Sequence, residues 1–351
     1  MPIPNHVQDA QDCYFMMLAI EQAKRGQYTA RPNPAVGCIL VQAGEVVGQG
    51  FHPQAGQPHA EVFALRDAGV RAAGATAYVT LEPCSHTGRT PPCARALIDA
   101  GIKRIVIAGL DPNPQVAGRG VSLLEQASID VTVGILNTQA EALNQGFLKA
   151  MRTQMPYVRL KIATSLDGRT AMASGESKWI TSAAARADVQ TLRAQSGTII
   201  TGSATVIADN PQLNVRSTQL GIPPEQIPTP VVVVLDRRAR LAHDLQSDYH
   251  LCRRTDTIYW REDNLLMLLK TLVREYQCYD VLVEAGASVA GSFLSQQLVD
   301  ELIVYQAPCL LGSQARAMVD FNPLSLAQQL RFDYHSHEQI GPDIKLTLLP
   351  L

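Results

Sequence analysis

Apolar positions along the chain recur with two periods, and the periods alternate. From Asp9 to Arg25 they return every three or four residues, which predicts an amphipathic helix ending near Gly26. Val36–Val41 and Val46–Gly50 are short β-rich runs on either side of Ala43-Gly44 and predict a hairpin. The series continues with a helix over His59–Ala68, a strand over Ala75–Thr80 and a helix over Cys93–Ala100. Then come a strand at Arg104–Ala108, a helix at Gly120–Ala127, a strand at Asp130–Val133 and a closing helix over Thr138–Lys149. Strands that alternate with helices imply one sheet covered on both faces, an α/β/α sandwich.

The pattern restarts after Met151–Pro156, which divides the chain into residues 1–150 and 151–351. Strands are expected at Tyr157–Ala163, Gly197–Thr201, Pro230–Leu235, Val281–Glu284 and Glu301–Gln306. Helices are expected near Ala183–Arg193, Leu265–Tyr276 and Ser288–Gln297, and further strand over Tyr334–Leu349. The Pro-rich stretch Gly221–Pro230 reads as a surface loop.

Composition narrows the function classes. With 351 residues there is room for two cores, and 46% hydrophobic with 18% charged residues is ordinary for a soluble globular chain. A net charge of -2 and 5% aromatic residues give no basic, stacking surface, so nucleic acid is not an expected partner. Seven cysteines, an odd number scattered through apolar contexts, form no disulfide framework and fit the reducing cytoplasm. The apolar run Tyr14–Ile20 is too short for a signal peptide or a membrane span and is flanked by acids.

The chemistry concentrates in His59-Ala60-Glu61, followed by Pro83-Cys84 and Cys93. One imidazole and two thiolates suit a tetrahedral zinc with an open position for water. Glu61 is spaced to move protons between that water and a leaving amine, as in zinc-dependent base deaminases. A structural zinc site, with His52 or His86 as a fourth ligand, is the competing reading of the same residues. In the second half no Gly-x-Gly-x-x-Gly follows a strand. Two strand–turn–helix junctions, at Thr201-Gly202-Ser203 and at Glu284-Ala285-Gly286, offer backbone N–H groups to a phosphate. Lys161 and Glu284 stand in or beside apolar strands, where a charge is paired or functional.

Eight residues separate Cys84 from Cys93, where many deaminases have two. This long loop, in TLEPCSHTGRTPPC, together with HAEVFAL and DPNPQVAGRG, resembles the bifunctional deaminase–reductases of riboflavin biosynthesis. LKIATSLDGRTAMASGESKWIT, LRAQSGTIITGSATVIADNPQLNVR, VEAGASVAGSFL and LVDELIVYQAPCLLGS extend the resemblance over nearly the whole chain.

The resemblance implies a cytidine-deaminase-like first domain and a dihydrofolate-reductase-like second domain that uses NADPH. It implies a phosphorylated pyrimidine as substrate, deaminated at zinc and then reduced to a ribityl chain, and a homo-oligomer. It places Ala163, Trp179, Thr205, Asp209 and the loop Gly286, Ala287, Ser288, Val289, Ala290, Gly291 and Ser292 on the nicotinamide cofactor. It places Asn33, Ser177, Arg193, Leu213, Arg216 and Glu284 on substrate, and makes Lys161, Asp209 and Glu284 candidates for the proton of ring opening. His86 or Arg89 would help hold the ring or the phosphate. Arg237 lies in LDRRARL, rich in arginine where the family often has small polar residues. Its charge would favour the 2′-phosphate of NADPH, or simply face solvent. The rival readings are a nucleic-acid base deaminase, a second half that binds nucleotide without catalysis, and a structural zinc protein.

Overall fold

A computed structural model of the chain describes residues 5–85, 92–113, 116–241, 243–244 and 246–351. It forms two compact units, Met1–Gln154 and Met155–Leu351. In the first, the elements are α1 (Asn5–Lys24), β1 (Gly37–Gln42), β2 (Glu45–Phe51), α2 (Ala60–Ala68), β3 (Thr76–Val79), α3 (Cys93–Asp99), β4 (Arg104–Ile107), α4 (Arg119–Gln126), β5 (Asp130–Val133), α5 (Asn137–Glu141) and α6 (Gln145–Thr153). The sheet order is β2-β1-β3-β4-β5. β1 runs antiparallel to both neighbours, whereas β3, β4 and β5 are parallel.

Strand side chains alternate between two cores, as the pleat requires. Leu40, Val79, Ile105 and Ile107 pack with α2, α3 and α4, while Ile39, Tyr78 and Val106 pack with α1. Each fully buried aliphatic side chain contributes about 1.5–3 kcal/mol. α1 is also tied down by charge: Asp12 accepts two hydrogen bonds from Arg104, at 2.8 and 2.7 Å, and one from the Tyr78 hydroxyl at 2.9 Å. α2 lies almost backbone to backbone on β2. A Cβ at Gly50 would come within 2.4 Å of the Ala60 carbonyl oxygen, so glycine lets the first turn of α2 sit directly on the sheet.

The closing helix expected over Thr138–Lys149 is instead two helices, α5 and α6, broken at Asn144. The buried Asn144 amide is used elsewhere. Its Oδ1 accepts from the Ala35 N–H at 2.7 Å and its Nδ2 donates to the Ala35 carbonyl at 2.9 Å. A tertiary hydrogen-bond pair here overrides local helix propensity.

The second unit contains β6 (Tyr157–Ser165), β7 (Arg169–Ala171), α7 (Ala183–Gln195), β8 (Thr198–Gly202), α8 (Ser203–Asp209), β9 (Val231–Leu235), α9 (His250–Arg253), β10 (Thr257–Trp260), α10 (Leu265–Tyr276), β11 (Asp280–Glu284), α11 (Ala287–Ser295), β12 (Glu301–Ala307), β13 (Arg316–Ala317), β14 (Phe332–Ile340) and β15 (Asp343–Pro350). Its main sheet has the order β10-β9-β8-β11-β6-β12-β15-β14. The strands from β10 to β12 are parallel, and β15 and β14 close the edge antiparallel. Gly221–Pro230 is a loop carrying only the short 3-10 turn Pro224–Gln226. The helix start expected after Thr201-Gly202-Ser203 is α8, whereas the sequence pattern did not reveal β7, α9, β10 or β13, each of four residues or fewer and too short to establish a period.

Adjacent strands β8 and β11 send the chain in opposite directions, β8 towards β9 and β11 towards β12. The helices that follow them pack on opposite faces, Val206 of α8 in one core and Ala290 and Phe293 of α11 in the other. The carboxyl ends of β8 and β11 therefore mark the switch point, the place where open α/β sheets bind ligands.

Candidate active sites

The first site is assembled at the same edge of its sheet by two helix starts and one strand end. His59 caps α2 in extended conformation, so Glu61 falls in the first turn. The chain leaving β3 reaches Cys84 through Glu82 and Pro83, and Cys93 opens α3. Glu82 fixes that passage. It is buried, and its carboxylate accepts backbone N–H groups from Gly118 at 3.0 Å and Gly120 at 2.9 Å, and longer ones from Asp111 and Val121, both at 3.3 Å. A side chain at Gly120 would strike the Pro83 carbonyl, at 2.1 Å.

His59 Nδ1 lies 3.6 Å from Cys84 Sγ and 3.3 Å from Cys93 Sγ, and all three donor atoms fall within 4.8 Å of one another. Zinc bonds of about 2.05 Å to nitrogen and 2.3 Å to sulfur set tetrahedral N···S separations near 3.6 Å. The donor set therefore fits zinc in spacing and in chemistry. The Cys84 thiol is pulled down to about 4 by hydrogen bonding from Cys93 and His59, and the Cys93 thiol is pushed up by sharing its proton with Cys84.

Glu61 is buried, and its Oε2 has no hydrogen-bond partner among the described residues. Burial, reinforced by the negative Cys84, pushes its carboxyl up to about 7. An orphaned buried carboxylate oxygen beside an open three-ligand set is placed to work on something that enters the site.

His52 is not a fourth ligand. Its Nδ1 is 3.1 Å from the Pro58 carbonyl and its Nε2 is 3.0 Å from the Asn33 amide nitrogen. These partners make Nδ1 the protonated nitrogen and Nε2 the acceptor, and burial keeps the ring neutral by lowering its pKa. His52 thus orients the Asn33 side chain. The roles of His52, Glu82 and Asn144 as supports were missed from sequence, since only the folded chain shows what they touch. His86 and Arg89 lie outside the described residues.

The second cluster forms where the carboxyl end of β11 lies against the middle of β6. Glu284 and Lys161 are register partners on these strands. Arg193, at the end of α7, binds both oxygens of Glu284 at 2.6 and 3.0 Å. Burial alone would raise the Glu284 pKa, but Arg193, Lys161 and Arg216 outweigh it and hold the carboxyl below its usual range. Burial lowers the Lys161 pKa, opposed by Glu284. Arg216 joins through Asn214, whose Oδ1 accepts from Arg216 at 2.9 Å and whose carbonyl accepts from Arg193 at 3.4 Å.

Ser177 donates to Asp209 at 3.4 Å, and the backbone carbonyl of Asp209 accepts from Lys178 at 3.1 Å. Thr205 faces the Gly286 turn: its Oγ1 is 3.9 Å from where a Cβ on that glycine would lie. Leu213 is buried. Ala163 sits beside Tyr305 across β6 and β12. Trp179 is not a core aromatic, being 69% exposed, with the Arg186 guanidinium 4.2 Å from its ring centroid. Arg237 faces solvent and pairs with Asp263 at 2.7 Å. A further polar group went unnoticed in the sequence: the buried Tyr305 donates to Asp188 at 2.5 Å, and Lys345 pairs with the same carboxylate at 2.9 Å.

Comparison with known proteins agrees with both halves. Residues 9–109 match the cytidine and deoxycytidylate deaminase zinc-binding region, and residues 156–346 match the RibD C-terminal domain. The riboflavin biosynthesis protein RibD of Haemophilus influenzae is 50% identical over 97% of this chain and 98% of its own length. That of Escherichia coli is 49% identical over 97% and 99%. Among solved structures, a RibD of Acinetobacter baumannii is 53% identical, covers 98% of this chain and 100% of its own, and superposes with a TM-score of 0.93. A diaminohydroxyphosphoribosylaminopyrimidine deaminase/5-amino-6-(5-phosphoribosylamino)uracil reductase of Thermotoga maritima is 30% identical over 98% and 100%, with a TM-score of 0.87. The α/β architecture expected from sequence, a deaminase domain followed by a reductase domain, is borne out by these neighbours.

Proposed function

The chain belongs to the RibD family of bifunctional riboflavin biosynthesis enzymes, a deaminase joined to a reductase, and on that premise we propose how its residues divide the two reactions. We assign the deaminase to residues 1–150 and the reductase to 151–351. The substrate is a diaminopyrimidinone carrying a ribosyl phosphate, the class named for the Thermotoga relative. Deamination comes first, and reduction of the sugar to a ribityl chain follows.

His59, Cys84 and Cys93 hold the zinc. Bound there, the metal supplies Lewis acidity that brings the pKa of a coordinated water to about 7. Glu61 would carry both protons of the attacking water in turn, the first to the ring nitrogen and the second, from the new hydroxyl, to the amine that leaves as ammonia, while Asn33, oriented by His52, hydrogen-bonds the pyrimidine. The observation that carries this reading is the buried Glu61 oxygen with no partner, beside a donor set of zinc dimensions.

In the reductase, NADPH supplies the hydride. Thr205, the Gly286–Ser292 segment, Ala163, Trp179 and Asp209 would hold the cofactor at the switch point. Ser177 and Leu213 line the substrate side. Arg193 and Arg216 attract the phosphate, and Lys161 with Glu284 manages the proton of ring opening.

The chain acts in the cytoplasm as a homo-oligomer; its cysteines, none of them in a disulfide, suit a reducing compartment. No helix among the described residues is long and apolar enough to cross a membrane. The reading of a nucleic-acid deaminase with an inert second half is not favoured, since the reductase half matches its own family model. The test is a coupled assay on the phosphoribosyl diaminopyrimidinone that follows ammonia and NADPH absorbance separately. Ammonia release and then NADPH loss is the expected sequence; ammonia without NADPH loss would remove the reductase assignment.

A further inference from the structure

Glu284 stands beside Lys161 on the adjacent strand, but both of its oxygens bind Arg193. Among the described residues Lys161 forms no ion pair. What its ammonium meets is the ring of Tyr305 on β12, with the centroid 5.9 Å away, inside the range of a cation–π attraction. Tyr305 is the register partner of Ala163, two residues along β6 from Lys161, so the three side chains leave one face of the sheet.

The far end of Tyr305 is locked. The side chain is fully buried, its hydroxyl donates to Asp188 of α7 at 2.5 Å, and Lys345 of β15 pairs with the same carboxylate at 2.9 Å. Burial first, and Asp188 next, push the pKa of the hydroxyl up, so it remains a donor. Its neighbours in this core, such as Leu192, Leu282 and Ile303, are aliphatic. A phenylalanine would fill the same space with no carboxylate or ammonium to desolvate. What the Tyr305–Asp188–Lys345 network adds is a ring that cannot shift, since a satisfied buried network rigidifies its members.

We propose that Tyr305 is a positioning residue of the reductase: its ring holds the Lys161 ammonium in place, and Asp188 with Lys345 fixes the ring. A lysine on a four-carbon stem otherwise samples many rotamers, and a proton carrier displaced by about 1 Å loses rate. The assignment rests on the reading of Lys161 as a proton carrier. The groups that face Lys161 are Glu284 from β11, Arg193 from α7 and the Tyr305 ring from β12. Burial lowers the Lys161 pKa, Glu284 opposes this and Arg193 adds to it. The negative face of the ring favours the ammonium, so its loss should lower that pKa further.

The experiment has two readouts on the full-length protein. One is a pH titration of the Lys161 side chain by NMR with isotope-labelled lysine and no ligand, its signal identified as the one missing from Lys161→Met. The other is NADPH oxidation with 5-amino-6-(5-phosphoribosylamino)uracil, the reductase substrate named for the Thermotoga relative. Tyr305→Met fills the space without a ring. The Lys161 pKa should fall by about half a pH unit and kcat roughly tenfold, with the KM for NADPH unchanged. Tyr305→Phe keeps the ring and loses only its lock, so kcat should fall about fivefold while the Lys161 pKa stays in place. A slower Tyr305→Met with an unmoved Lys161 pKa would be packing damage and would overturn the proposal. Wild-type turnover in Tyr305→Phe would overturn it too, and decides the case should Tyr305→Met not fold. Wild-type turnover in Lys161→Met would instead overturn the proton role of Lys161 on which the proposal rests.

Discussion

The two sites are built in opposite ways. The proposed deaminase centre draws its candidate metal donors and acid/base from 35 consecutive positions, His59 to Cys93, each delivered by the start of a helix or the end of a strand. The proposed reductase centre gathers Lys161, Arg193, Arg216 and Glu284 from elements far apart in sequence, joined by strand register and a bidentate ion pair. The first centre depends on a few coordinating atoms, and losing one should empty it. The second distributes charge over a network, so single changes there should act through pairing and pH.

The largest expected effect is on the coordinating atoms. Cys93→Ser should lose zinc, seen as a fall in bound metal by elemental analysis, and stop ammonia release while the second unit, with its own cores, keeps NADPH binding. Retained stoichiometric zinc would mean that the donor set is wrong.

One step out, Glu82→Gln keeps the shape of the side chain but removes the charge that four backbone N–H groups share. Zinc affinity should fall about 10–100-fold, as for other residues that orient ligands. Competition with a chelator measures it, and an unchanged affinity would confine Glu82 to stability alone.

The smallest effect contrasts the second centre with the first. Glu284 has its pKa depressed below the ordinary 4.5 in the folded state, because Arg193, Lys161 and Arg216 outweigh burial. Its unfolded form therefore binds a proton more readily. The stabilisation is fully present above about pH 4.5 and is lost as pH falls towards the folded value. Melting temperature should drop more steeply with acid in the wild type than in Glu284→Gln, and equal slopes would contradict the network.

The same contrast governs how much could be read from the chain. The cluster of His59, Cys84 and Cys93 with Glu61 beside it was legible because helix starts and a strand end bring these residues together locally. The alternation of elements was legible for the same reason. The break at Asn144 was not, since its cause is the Ala35 backbone, 109 residues away. Asn33 was singled out, but the His52 that orients it was seen only as a possible ligand, because tautomer and partner belong to tertiary structure. In the second half, Lys161 and Glu284 stood out as charges among apolar residues, and the register then paired them. Arg237 and Arg240 look alike in LDRRARL. Only the turn closed by Asp236 separates an arginine spent on Asp263 from one held over Ser203.

The central claim, that Glu61 is the proton carrier of a three-ligand zinc deaminase, is tested most directly by Glu61→Gln. The account predicts full zinc occupancy with ammonia release reduced about 10²–10⁴-fold. Ammonia release at the wild-type rate with zinc still bound would contradict it.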